Sequence, residues 1–114
     1  MPLQMPKISY QQIRNYAERF SWIDPRTGLR TVGFNRPNDS PQVKATYRRV
    51  PFHIRFVTLE GVVEEGYCIC MRVWPNNMRR LLQFCDADGK PNGNFREAFD
   101  YLIVEIDGTR FITH

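Results

Sequence analysis

From Val50 onward, apolar and polar positions alternate. The segments FHIRFVTL (residues 52–59), YCICMRVW (67–74), RLLQFC (80–85), YLIVEI (101–106) and RFIT (110–113) are rich in β-branched and aromatic side chains. Alternation with period two belongs to strands that turn one face to a core and the other to water. Each segment is bounded by turn chemistry: Glu60-Gly61, Pro75-Asn76-Asn77, the run DADGKPNGN, and Asp107-Gly108. Five short strands at this spacing predict an antiparallel meander or small barrel. On the first strand Phe52, Ile54 and Phe56 share one face, and His53, Arg55 and Val57 take the other. Apolar Val57 and Leu59 then occupy that second face, which predicts a bulge or strong bend. The pattern puts Phe56, Ile69, Met71, Leu82, Phe84, Leu102, Val104 and Ile106 in the core. FREAF, just before Tyr101, is too short to be assigned as a helical turn.

Before Val50 the period changes. Ser9 and Gln12 have the S-x-x-Q form of a capping box, and Ile13, Tyr16, Ala17 and Phe20 follow at helical spacing. An amphipathic helix is predicted from Tyr10 to about Phe20, too short to persist alone in water and so bound to dock its apolar stripe. In FSWIDPRTGLRTVGF, the turn residues Asp24, Pro25 and Gly28 separate two apolar segments, the signature of a small hairpin. Pro37 and Pro41 around Asn38, Asp39 and Ser40 give the strongest loop signal in the chain. The organisation expected is therefore one domain over residues 1–114. It comprises a helix and hairpin to residue 36, a Pro-rich loop at 37–46, and an antiparallel β core at 47–114.

The fold class is mostly β with an N-terminal helix, and its element order over residues 50–114 resembles the five-stranded small barrel of SH3-like and Sm-like domains. The resemblance is one of element order only. No family motif accompanies it.

Composition narrows the function classes. At 114 residues the chain can bury one core without staples. No apolar run nears the roughly 20 residues that cross a bilayer, so no membrane partner is expected. The first residues lack the pattern of a secretory signal, which predicts a cytoplasmic protein. Three cysteines, Cys68, Cys70 and Cys85, are an odd number and read as reduced thiols. Charge is unevenly placed: residues 1–55 carry 10 Lys/Arg against 3 acids (+7), and residues 56–114 carry 6 against 9 (−3), for +4 overall. Thirteen of the 16 basic residues are arginine, whose planar fork grips carboxylate or phosphate and stacks on rings.

Candidate chemistry is thin. Cys68 and Cys70 share one strand face, but zinc ligands normally come from turns that wrap the ion, so these are read as core thiols. Asp86, Asp88, Asn92, Asn94 and Glu97 match positions of a calcium loop, yet Lys90 replaces a ligand and Pro91 the turning glycine. No metal and no cofactor are expected. His53 and His114 are the only histidines, and there is no phosphate loop or nucleophile elbow, which disfavours an enzyme. What remains is YRRVPFHIRF: Tyr47, Arg48, Arg49, His53 and Arg55, with Arg72 and Trp74 on a neighbouring strand, form a candidate partner-binding face. Arginine beside aromatics marks protein interfaces, where Trp, Tyr and Arg carry most of the binding energy. The expectation is a non-enzymatic module binding a protein partner, or a second copy of itself, through this face or an open strand edge. Nucleic acid is the alternative, with bases stacking on the rings and phosphates on the guanidinium groups.

Overall fold

The computed structural model describes residues 7–34 and 40–111. Helix α1 (Lys7–Ala17) buries Ile13 and Ala17 and half-buries Tyr16, the stripe expected from the 3.6 period. It begins before Ser9, so Ser9 is not its N-cap. It also ends earlier than predicted, with Glu18 N–H donating to the Arg14 carbonyl at 3.0 Å. Phe20, predicted on the helix, instead opens strand β1 (Phe20–Ile23), where pairing on both edges outweighs helical spacing.

The predicted hairpin is present: β1 pairs antiparallel with β2 (Arg30–Gly33). Its turn is held by the Asp24 side chain, which accepts from Arg26 N–H at 2.8 Å, and by Gly28 at φ +70°. Residues 35–39, which include the first three positions of the expected loop, lie outside the described residues. The second half is not loop but a short helix, α2 (Pro41–Thr46). Ser40 Oγ accepts from Val43 N–H at 3.2 Å and Pro41 occupies the first turn, a legible helix start whose prolines read more strongly as a loop. Strand β3 (Arg48–Arg49) then pairs with the other edge of β1, completing a three-stranded sheet in the order β2-β1-β3.

The larger sheet comprises β4 (Phe52–Val57), β5 (Val63–Trp74), β6 (Arg79–Cys85), β7 (Pro91–Phe99), β8 (Ile103–Ile106) and β9 (Thr109–Arg110), in the order β7-β6-β5-β4-β8-β9. All its pairings are antiparallel, as predicted. It does not close: among the described residues β7 and β9 are its outer strands, so of the expected five-stranded barrel or meander the closed form gives way to an open six-stranded sheet. The extra strand is β7, which takes up the end of the predicted turn and the unassigned FREAF. The turn itself contracts to Asp86–Lys90, where Asp86 Oδ1 accepts from the N–H groups of Asp88 and Lys90. Pairing with β6 and burial of Ala98 override the weak local preference of PNGNFREAF.

One core lies between α1 and this sheet, formed by Ile13, Ala17, Phe52, Ile54, Phe56, Cys68, Cys70, Leu82, Ala98, Ile103, Ile106 and Phe111. Phe56, Leu82 and Ile106 were predicted there, and Phe84 packs against it. On β5, Cys68 and Cys70 are core thiols, as expected, and stand opposite Phe52 and Leu82, while Ile69, expected in the core, is buried outside that cluster and Met71 is only half-buried. On β8, Ile103 replaces the predicted Leu102 and Val104. Here the register shift between Arg55 and Phe56 sets Ile106 opposite Ile54 and Ile103 opposite Phe56, so both isoleucines enter although three residues apart.

A buried ionic cluster ties the helix end to the sheet. Arg80, only 1% exposed, donates from Nε to Asp100 Oδ1 at 2.8 Å, from a second nitrogen to Oδ2 at 3.3 Å, and from a third to Glu18 Oε2 at 2.7 Å. Burial would pull Arg80 down, but Asp100 and Glu18 outweigh it and hold the guanidinium above its ordinary value. Burial also pushes the Asp100 carboxyl up, against the pull of Arg80. The two bonds from a guanidinium that keeps its proton favour the ionised pair. Among the described residues no helix is long and apolar enough to cross a membrane.

Candidate functional site

The seven residues singled out by sequence divide into two groups. Arg49 and Arg72 line one groove where the small sheet meets β5, and Tyr47 and Trp74 adjoin it through Phe20 and Arg72. Tyr47 follows α2 and stacks on Phe20 at 5.0 Å between centroids. Arg49, opposite Phe20 in the ladder, lies over the same ring at 5.3 Å and donates to the Cys70 carbonyl at 2.7 Å. Arg48, its neighbour on β3, is exposed. These contacts exist because β4 begins at Phe52, opposite Cys68, and among the described residues the edge of β5 beyond that point has no strand partner on this side. A groove of about 160 Å³ results, walled by Ala17, Glu18, Arg19 and Phe20 from the α1–β1 junction, by Arg49, and by residues Cys70 to Val73 of β5.

The bulge in β5 shapes this wall. Cys70 stands opposite Leu82 and Arg72 opposite Leu81, so Met71 is the extra residue and alternation resets. Cys70 and Val73 can thus both face the core side while Arg72 and Trp74 face outward. Trp74 carries Arg72 at 4.7 Å and Arg79 at 4.1 Å over its ring. Arg79 is its cross-strand partner and reaches Glu97 on β7 at 3.7 Å. Register continues this outer face across β7, with rows Ile69–Gln83–Phe95, Arg72–Leu81–Glu97 and Trp74–Arg79–Phe99. Phe95, at 50% exposure, sits on the free edge strand.

His53 and Arg55 do not belong to this patch. They lie on the same outer face, but His53 stands opposite Tyr67, five residues before Arg72, or about 16 Å along a strand. They are also matched by carboxylates: Arg55 Nε donates to Glu65 at 2.6 Å and a second nitrogen lies 3.8 Å from Glu105, while His53 Nε2 is 3.7 Å from Glu65. The hydrogen bond from Arg55 lowers the Glu65 carboxyl below its ordinary range. Cross-strand pairing of Arg55 with both glutamates is the cause, and it could not be read before strand order was known. A continuous basic face of all seven residues is therefore absent.

Three participants were missed. Arg19 and Phe20 were assigned to the helix, and Arg79 had only its adjacency to Arg80 to mark it. Arg79 Nε is buried with no hydrogen-bond acceptor among the described residues, its guanidinium lying over Trp74 instead.

The cysteines are all free and buried. Loss of solvent pushes the Cys68 thiol up to about 12 and raises Cys70 and Cys85 as well, which keeps them unreactive. The calcium-loop letters are spread out by the strand: Asp86 is committed to the turn, and Asn92, Asn94 and Glu97 lie extended along β7. Among the described residues no group of His, Cys, Asp or Glu is placed to hold a metal ion. No protein family, curated protein or solved structure matches this chain.

Proposed function

We propose that the chain is a non-enzymatic, cofactor-free interaction module that binds a protein partner by adding an extended segment to β7. One observation carries this reading: among the described residues β7 runs for nine residues at the margin of the sheet with no strand beyond it, and half-exposed Phe95 stands on that edge. An open edge offers main-chain hydrogen bonds, and the alternate side chains of an added strand would meet the outer-face rows ending in Phe95, Glu97 and Phe99. Pro91 and the register shift between Gln83 and Cys85 blunt the first part of the strand, which directs pairing to Phe95–Phe99. A second copy of the chain is the simplest such partner. The one histidine–acid pair on β4–β5 is on an open sheet face, away from the groove, which is poor geometry for catalysis.

Nucleic acid fits less well. The rings near the arginines are covered, Phe20 by Tyr47 and Arg49 and Trp74 by Arg72 and Arg79, and Glu65, Glu97 and Glu105 line the same outer face. The test compares the parent with Phe95→Lys, which places a charge on the edge without touching the core. Light scattering and affinity capture should show self-association or a specific partner in the parent, lost in the variant while circular dichroism is unchanged. Equal association in both, or steeply salt-dependent binding to generic oligonucleotides in place of protein, overturns the proposal.

A further inference from the structure

We infer that the groove between the α1–β1 junction and β5 is a second, separate recognition site, built to take the carboxylate side chain of an acidic segment of a protein partner. Its charge is unbalanced in one direction. The one acid in its lining, Glu18, is already held by Arg80 at 2.7 Å, and of the lining arginines Arg19 is paired with Asp107 at 3.3 Å. Among the described residues Arg49 and Arg72 have no carboxylate partner. Arg49 is pre-positioned by its bond to the Cys70 carbonyl and its place over Phe20, and Arg72, ordered over Trp74 on the outward side of β5, borders the groove at its rim. A stacked guanidinium keeps its in-plane N–H groups for an acceptor, and the order already imposed reduces the entropy lost on binding.

The floor is apolar, supplied by Ala17, Phe20 and Val73. In such surroundings a guanidinium–carboxylate pair is stronger than in water. About 160 Å³ is of the order that accommodates a single benzene-sized group, and so one side chain rather than a run of nucleotides. An extended polyanion would also run over the glutamates of the neighbouring sheet face, whereas a single acidic side chain reaches only the groove.

This site rests on the reading that the partner is a protein, but not on strand addition at β7. The full chain would be titrated with a peptide of alternating Glu and Leu, with its Gln-for-Glu counterpart, and with an oligothymidylate, following backbone amide NMR signals. The acidic peptide should shift Arg49, Cys70, Met71 and Arg72, and the glutamine peptide should not. Arg72→Ala, on an exposed side chain, should weaken binding about tenfold, the loss of one charge-assisted bond. Phe95→Lys should leave it unchanged, which separates this groove from the β7 edge. Arg19→Gln serves as a second variant at the rim. Equal binding of the glutamine peptide, shifts confined to another surface, or binding of the oligothymidylate alone in the groove overturns the inference.

Discussion

Replacing Asp100 with asparagine isolates the buried ionic cluster. The substitution keeps shape and one acceptor but removes the charge that faces Arg80. Both side chains are 1% exposed, and two of the guanidinium's nitrogens, at 2.8 and 3.3 Å, are directed at the carboxylate. At a charge separation of about 4 Å and an effective dielectric near 20, the attraction lost is about 4 kcal/mol. Breaking a buried pair from one side costs about 3–5 kcal/mol, because the remaining charge stays out of water. Glu18 would retain Arg80 only from its partly exposed side. Asp100→Asn should therefore destabilise by about 3–4 kcal/mol, read from guanidinium denaturation followed by Trp fluorescence. Arg80→Met should cost a similar amount by stranding Asp100. The double change Arg80→Met with Asp100→Leu should recover most of the loss, because an apolar pair needs no compensation. A cost below about 1 kcal/mol for Asp100→Asn would refute the reasoning, since that is the range of a solvated surface pair.

Two further outcomes follow from packing and burial. A Cβ added at Gly93 would stand 2.8 Å from Phe84 Cβ, close to the backbone where the ring cannot swing away, so Gly93→Ala should cost about 1–3 kcal/mol and lower the melting temperature. Cys68 has a folded-state pKa pushed from 9.0 to about 12, so burial disfavours its thiolate. Its contribution to stability is complete below about pH 9 and is lost as pH rises toward 12. The parent should lose more stability than Cys68→Ala across that interval in parallel denaturation curves, and identical curves would show that Cys68 is not desolvated.

Much of the architecture was legible because local signals agreed with the global result. The helical stripe at Ile13 and Ala17, the Asp24–Gly28 turn, and alternation in β4 each needed only neighbours in the chain. β7 was not legible, because Asn92, Gly93 and Asn94 have little strand preference and the strand forms only against β6. The site was half legible for a similar reason. Arg49 and Arg72 could be named from residue type, but their separation from Arg55 depended on Glu65 and Glu105 arriving from β5 and β8.

The sequence by itself determined an antiparallel, mostly β chain with a docked N-terminal helix, since side-chain periodicity is a property of adjacent residues. Only the tertiary structure decided which face of β5 is buried, whether the sheet closes, and which arginines are left without a carboxylate. A bulge at Met71 reverses facing, and cross-strand partners set each charge's surroundings. Both depend on register between distant segments, which no local pattern encodes.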